Sequence, residues 1–149
     1  MKGRRWLILA GAASIGIAVL HLVILAVGPR AYAYFGAPEL GALAAQGSVL
    51  PAALTLLVAA ALIVFALYGL SGGGLMRRLP LLKSVLVLVG TLYTLRGLAV
   101  IPDLVRLAAG AGYPLRQTVF SAASLAIGIV YILGTTRAWP ELRPSKERP

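Results

Sequence analysis

Four long apolar stretches dominate the pattern of hydrophobic and polar positions along the chain. They cover residues 6–28, 50–70, 79–101 and 117–136, and charged side chains occur within them only at Lys83 and Arg96. At a rise of 1.5 Å per residue, about 20 helical residues cross the roughly 30 Å hydrocarbon core of a bilayer. The pattern therefore predicts an all-α integral membrane protein, a bundle of four transmembrane helices forming one membrane domain.

The connections between these stretches differ in length. Residues 28–49 form the longest one, and we expect a short interfacial helix from Pro38 to Ala45, either in a surface loop or as a lid over an outer pocket. The segment AYA at 31–33 resembles a signal-peptide cleavage site, but the preceding apolar run is too long and Arg30 intervenes, which favours a retained helix. Residues 140–149 are polar and rich in proline, which predicts a flexible cytoplasmic tail.

Composition agrees with a membrane setting. Hydrophobic residues make up 60% of the 149 residues, charged residues 12%, and the mean hydropathy is +0.92. A soluble globule of this size lacks the polar side chains to cover itself at that composition. There is no cysteine, which excludes disulfides, thiolate nucleophiles and cysteine-ligated metals.

The net charge of +10 is distributed asymmetrically between alternate connections. One side carries ten basic residues: Lys2, Arg4, Arg5, Arg77, Arg78, Lys83, Arg137, Arg143, Lys146 and Arg148. The other side carries three: Arg30, Arg106 and Arg116. The positive-inside rule then predicts a multi-pass protein of the bacterial inner membrane with both termini in the cytoplasm. Because the charges lie at the ends of apolar runs, we expect membrane lipids as partners and no nucleic acid.

Small and polar residues recur at helical spacing in every span, as expected where helices pack in lipid. Examples are Gly11, Ser14 and Ala18; Thr55, Ala59 and Ala66; and Ser121, Gly128, Tyr131 and Thr135. Helical rise places His21 about 22 Å from Trp6. It puts Thr55, Arg96 and Ser121 at a similar height, Tyr93 one turn deeper and Asp103 at the outer mouth. We therefore predict an outward-facing polar pocket lined by His21, Thr55, Tyr93, Arg96, Ser121 and Asp103.

Each charged or titratable member of this pocket has an alternative interpretation. Arg96 either faces inward, toward an anionic ligand or Asp103, or extends to the outer interface. His21 either contacts a ligand or takes part in proton transfer, or it hydrogen-bonds to a neighbouring helix. Asp103 pairs with Arg106 at the helix end, or faces the site, and Pro102 before it is expected to disrupt the helix.

No catalytic motif or metal-ligand spacing occurs, and the glycines of Ser71–Leu75 lack the context of a phosphate loop and indicate a turn. The cofactor stays unknown, because the single histidine excludes bis-histidine haem but leaves a lone axial ligand open. We expect a binding or accessory protein for a lipophilic or anionic small molecule such as a quinone or lipid. A structural subunit of a larger membrane complex, or a small transporter or channel acting as a homo-oligomer, is the alternative.

The basic start, the segment GIAVLHLV at 16–23 and four short spans with a longer first outer loop resemble the small bacterial four-helix proteins called DoxX-like. Some members of that group are associated with membrane oxidoreductases that pass electrons to quinone. The resemblance implies that setting and the four-helix architecture, and it implies no residue roles.

Overall fold

A computed structural model describes residues 2–110 and 112–142, and these residues contain helices and no strand. The helices are α1 (Lys2–Val27), α2 (Pro29–Tyr34), α3 (Pro38–Ala45), α4 (Leu50–Gly72), α5 (Leu82–Gly97), α6 (Val100–Ala108) and α7 (Leu115–Ala138). Four segments are long and apolar enough to cross a membrane: Gly3–Val27, Leu50–Gly72, Leu82–Ala108 and Leu115–Ala138. The prediction of an all-α protein with four membrane spans is confirmed. The side of the membrane on which the termini lie stays a prediction.

The chain divides into two compact units. One comprises Met1–Ala13 with Phe65–Pro149, and the other comprises Ser14–Val64, so that α1 and α4 each contribute to both. Of the predicted tail, residues 143–149 lie outside the described residues, whereas Leu142 is only 5% exposed.

Glycines bring α5 and α7 close together in the first unit. A Cβ atom on Gly128 would lie 2.5 Å from the backbone nitrogen of Thr94, and one on Gly97 would collide with the backbone of Leu125. Lipid satisfies large apolar side chains as well as another helix does, so helices in a membrane associate through such close backbone approach. Gly128 was predicted to face a neighbouring helix, and it is buried.

Pro102 interrupts the third span, as its sequence position predicts. Proline has no N–H for the carbonyl four residues earlier, and its ring clashes with that carbonyl. The carbonyl belongs to Leu98, where the helix breaks into α5 and α6, and it accepts instead from the N–H of Ile101 at 3.0 Å. Leu98 and Ala99 keep right-handed helical dihedral angles, so α5 and α6 follow one another within the same span.

The second unit includes the two short helices that follow α1. Helix α3 spans the residues predicted for it, Pro38–Ala45. Gly41 allows α3 to approach the first turn of α2, because a Cβ there would lie 2.7 Å from the carbonyl oxygen of Pro29. Tyr32 and Ile24 form the centre of a small apolar cluster, with Phe35 packed against them.

The distribution of buried and exposed side chains is that of a protein surrounded by lipid. Large apolar side chains such as Leu57 and Val105 are 67% and 65% exposed, whereas the polar residues Ser14 and Thr135 are 0% and 1% exposed. Helix α6 shows the inversion most clearly, because it buries Asp103 and exposes Ile101, Leu104 and Val105. Such an arrangement is unfavourable in water and favourable where the exposed surface contacts acyl chains.

Candidate functional site

The six predicted site residues fall into two groups, one in each unit. His21 and Thr55 belong to the unit Ser14–Val64, and Tyr93, Arg96, Asp103 and Ser121 belong to the other. Within each unit these side chains have defined hydrogen-bonding or packing partners.

His21 and Thr55 line the same cavity. The cavity has a volume of about 170 Å³. Seven further residues complete its wall: Ile24, Tyr32, Phe35, Ala37, Leu40, Leu54 and Val58. The wall is therefore almost entirely apolar, with polar atoms supplied by the histidine, the threonine and one tyrosine.

The hydrogen bond of His21 determines which of its ring nitrogens is available. Nδ1 lies 2.8 Å from the carbonyl oxygen of Ile17, one turn earlier on α1. A carbonyl oxygen only accepts, so Nδ1 must donate, and the neutral ring then carries its proton on Nδ1. Nε2 is left as a hydrogen-bond acceptor with no partner among the described residues. His21 is also one of the residues that line the cavity, so Nε2 is its nitrogen left to accept from a ligand there.

Tyr32 and Thr55 form a hydrogen-bonded pair at another part of the wall. The Thr55 hydroxyl donates to the carbonyl oxygen of Pro51 at 2.7 Å. The Tyr32 hydroxyl lies 2.8 Å from Thr55 Oγ1 and donates to the same Pro51 carbonyl oxygen at 3.2 Å. Both residues are buried, at 4% and 5% exposure. The pair fixes α2 against the start of α4, so these hydroxyls are committed mainly to structure. The place of Tyr32 in this wall was not predicted from the sequence.

In the other unit, Asp103, Ser121 and Arg96 come together. The Ser121 hydroxyl donates to Asp103 Oδ2 at 2.6 Å, and it lies 3.5 Å from the Arg96 guanidinium, the long limit for a hydrogen bond. Ser121 thus bridges the two charges, which are seven residues apart in sequence. Arg96 remains exposed in the isolated chain while pointing a terminal nitrogen at Ser121. Its predicted role as a charge partner for a ligand stays a prediction.

Tyr113 completes the surroundings of Asp103. Its hydroxyl donates to Asp103 Oδ1 at 2.5 Å, so both carboxylate oxygens accept hydrogen bonds from hydroxyl groups. This hydrogen bond raises the pKa of Tyr113, and partial burial and the negative charge of Asp103 act in the same direction. Arg106 lies over the Tyr113 ring, with its guanidinium carbon 5.7 Å from the ring centroid, and opposes that rise.

Tyr93 belongs to an aromatic cluster. Its ring stacks on that of Tyr131 with centroids 5.8 Å apart, and it meets the ring of Phe65 edge-on at 6.1 Å. The Tyr131 hydroxyl donates to the carbonyl oxygen of Phe65 at 2.9 Å, which ties α7 to α4. The cluster gives Tyr93 a packing role in the first unit.

Metal binding finds no support in the described part of the chain. There, no three side chains of the His, Cys, Asp and Glu types come together.

No protein-family model, curated protein or solved structure matches this chain. The resemblance to DoxX-like proteins therefore stays an expectation. What the geometry offers chemically is an apolar cavity with a hydrogen-bond acceptor, and a separate buried carboxylate whose oxygens are already engaged.

Proposed function

We propose that this chain is a small membrane protein that binds a lipophilic molecule carrying a hydroxyl group, in the cavity beside His21. The observation that carries the proposal is the acceptor Nε2 of His21 in an otherwise apolar wall. Pockets for small molecules are commonly apolar with a few polar groups that fix orientation. A hydroxyl attached to an apolar ring, as in a quinol, matches both features.

The size of the cavity limits what it holds. Its volume of about 170 Å³ is below the roughly 300–1,000 Å³ of sites that enclose a drug-sized molecule. It accommodates a ring or headgroup, and the remainder of the ligand extends into the surrounding lipid. The oxidised quinone presents carbonyl oxygens, which accept and therefore do not pair with neutral His21 through Nε2.

The membrane setting of the proposal follows the distribution of basic residues. With ten Lys and Arg on one side and three on the other, both termini face the cytoplasm of a bacterial inner membrane. Counted from Trp6, His21 then lies about 22 Å along α1, in the outer half of the bilayer. A role beside quinone-linked oxidoreductases fits the DoxX-like resemblance.

The experiment uses the fact that the chain has one histidine. With an affinity tag that lacks histidine, selective ¹⁵N-histidine labelling in lipid nanodiscs reports on His21 alone. A short-chain quinol is expected to shift the Nε2 resonance, and its quinone to shift it much less. His21→Leu should weaken quinol binding about threefold to tenfold, the value of one hydrogen bond of about 0.5–1.5 kcal/mol.

Val19→Leu provides the control, because Val19 is on the same helix, 52% exposed and outside the cavity wall. Equal effects of quinol and quinone, or unchanged quinol binding by His21→Leu, would refute the proposal. Purification in mild detergent separates it from the alternative of a structural subunit, which requires a stable partner protein.

A further inference from the structure

A second cavity, separate from the one beside His21, lies in the unit Met1–Ala13 with Phe65–Pro149. Its volume is about 380 Å³, and two arginines, Arg4 and Arg78, contribute to its wall together with Ser71 and Glu141. Arg4 lies near the start of α1, Ser71 near the end of α4 and Glu141 just after α7. The cavity therefore lies at the ends of membrane spans, the level at which lipid headgroups are found.

Arg4 is held in place by the glycine-rich turn. Its Nε donates to the carbonyl oxygen of Gly73 at 3.1 Å, and its guanidinium occupies the space that a Cβ of Gly74 would take. Gly74 has φ +78°, a conformation that side chains disfavour. An arginine has five N–H donors, and Arg4 makes this one hydrogen bond within the described chain. Its terminal nitrogens remain for a ligand.

The turn is also fixed from within. The Ser71 hydroxyl donates to the carbonyl oxygen of Arg77 and accepts from the N–H of Leu79, both at 3.1 Å. Arg78 donates to the backbone carbonyl of Glu141. Both guanidinium groups are thus anchored to backbone oxygens, which reduces the entropy lost when they bind an anion.

The net charge of the wall of this cavity indicates which class of ligand it binds. Two guanidinium groups and the carboxylate of Glu141 give a net charge of about +1, which complements the single negative charge of a phosphodiester. Arginine is well suited to phosphate because its planar fork donates two parallel hydrogen bonds.

An apolar groove adjoins this cavity. It has a volume of about 370 Å³, is lined by Leu79, Pro80, Leu81 and Leu82, and shares Arg78 and Leu142 with the cationic cavity. At the same groove, the Lys83 ammonium lies 4.8 Å from the centre of the Trp139 ring, a pairing typical of the membrane interface. A phosphate site continuous with an apolar groove matches an amphiphile better than a free anion.

We propose that Arg4 and Arg78 bind the phosphate headgroup of an anionic glycerophospholipid, whose acyl chain lies along the groove at 79–82. The proposal is independent of the function assigned to the His21 cavity.

Two neighbouring pairs of arginines provide matched variants. Arg4→Gln and Arg78→Gln remove a guanidinium from the cavity wall, whereas Arg5→Gln and Arg77→Gln make the same change in net charge beside it. Binding of phosphatidylglycerol is measured by native mass spectrometry of the full chain released from detergent, with phosphatidylcholine and inorganic phosphate as competitors. We expect each wall variant to bind phosphatidylglycerol about tenfold more weakly, the value of about 1.5 kcal/mol for a hydrogen bond to a charged group, and the neighbours to change less than about twofold.

A gain of affinity tests the same site without depending on a weakened variant. Glu141→Gln leaves the backbone carbonyl that accepts from Arg78 and raises the net charge of the wall, so phosphatidylglycerol should bind more tightly. Equal weakening by all four arginine variants would indicate general surface attraction and overturn the site. Displacement of phosphatidylglycerol by an equal concentration of inorganic phosphate would show a free-anion site and overturn the role of the groove. Equal displacement by phosphatidylcholine would overturn the preference for an anionic lipid.

Discussion

Replacing Ser121 by alanine tests whether the buried carboxylate of Asp103 depends on the hydroxyl that α7 supplies. Ser121 Oγ lies 2.6 Å from Asp103 Oδ2, and the residues are 2% and 5% exposed. Hydrogen bonds to charged groups contribute about 1.5–3 kcal/mol in soluble proteins. Between membrane helices they average about 0.6 kcal/mol, with a maximum near 1.7. Because this bond is short, buried and made to a carboxylate, we expect Ser121→Ala to lower the free energy of unfolding by about 1.5 kcal/mol.

The matched control lies one turn further along the same helix. The Ser124 hydroxyl donates to the carbonyl oxygen of Phe120 on its own helix, at 3.0 Å, so Ser124→Ala removes the same atom without breaking a contact between helices. We expect it to change the free energy of unfolding by less than about 0.5 kcal/mol. Equilibrium unfolding in mixed micelles, followed by circular dichroism, measures both values.

A double-mutant cycle with Asp103→Asn isolates the pairwise contribution. In that background Ser121→Ala should cost less, because the acceptor has lost its charge. If Ser121→Ala and Ser124→Ala destabilise equally, or if the cost of Ser121→Ala is the same in both backgrounds, the carboxylate does not organise this part of α7 and the reasoning is wrong.

Three further predictions concern the packing and the electrostatics. Gly128→Ala should destabilise by about 1–3 kcal/mol, because its Cβ would lie 2.5 Å from a backbone nitrogen of α5; Gly16→Ala, with open space around it, should be neutral or slightly stabilising in the same unfolding assay. Because the pKa of Tyr113 is raised in the folded protein, it contributes stability that is present below pH 10 and is lost as the pH rises through the folded-state pKa. Asp103→Asn should lower the pKa of Tyr113, as measured by a titration of tyrosinate absorbance. Thr135→Val should stabilise by about 1 kcal/mol in thermal unfolding, because the buried hydroxyl has no partner among the described residues; destabilisation would indicate an unseen hydrogen bond.

Much of the backbone follows from local sequence, since each decisive signal acts over a few residues. The four spans come from uninterrupted apolar runs, the helix Pro38–Ala45 begins at a proline suited to a first turn, and the break before Pro102 comes from a missing N–H. The small-residue stripes also predicted buried positions such as Ser14 and Gly128. These features depend on spacing along one helix.

The partners of the polar side chains could not be predicted in the same way. Tyr32 and Tyr113 lie outside the four spans, and their hydroxyls reach Thr55 and Asp103 only because the connecting backbone turns as it does. Depth along a helix predicts which residues lie at the same height in the membrane. It gives no information about how each helix is rotated about its own axis, or about which side chains lie between those residues. The sequence also predicted a turn at the glycines 72–74, but it did not predict that this turn surrounds Arg4.

The engagement of Asp103 limits where a ligand can bind. It is the one acidic residue within the four spans, and an intramembrane charge is ordinarily the first candidate for a functional site. Both of its oxygens already accept short hydrogen bonds from Ser121 and Tyr113, and Arg96 is directed to the same serine. A ligand contacting this carboxylate would have to compete with these two hydroxyl groups for its buried oxygens. His21 differs, because its own helix binds one ring nitrogen and thereby fixes the other as an acceptor beside an apolar cavity. The less conspicuous polar residue is therefore the better candidate for ligand binding, and the charged one is better explained as the support that holds α6 to α7.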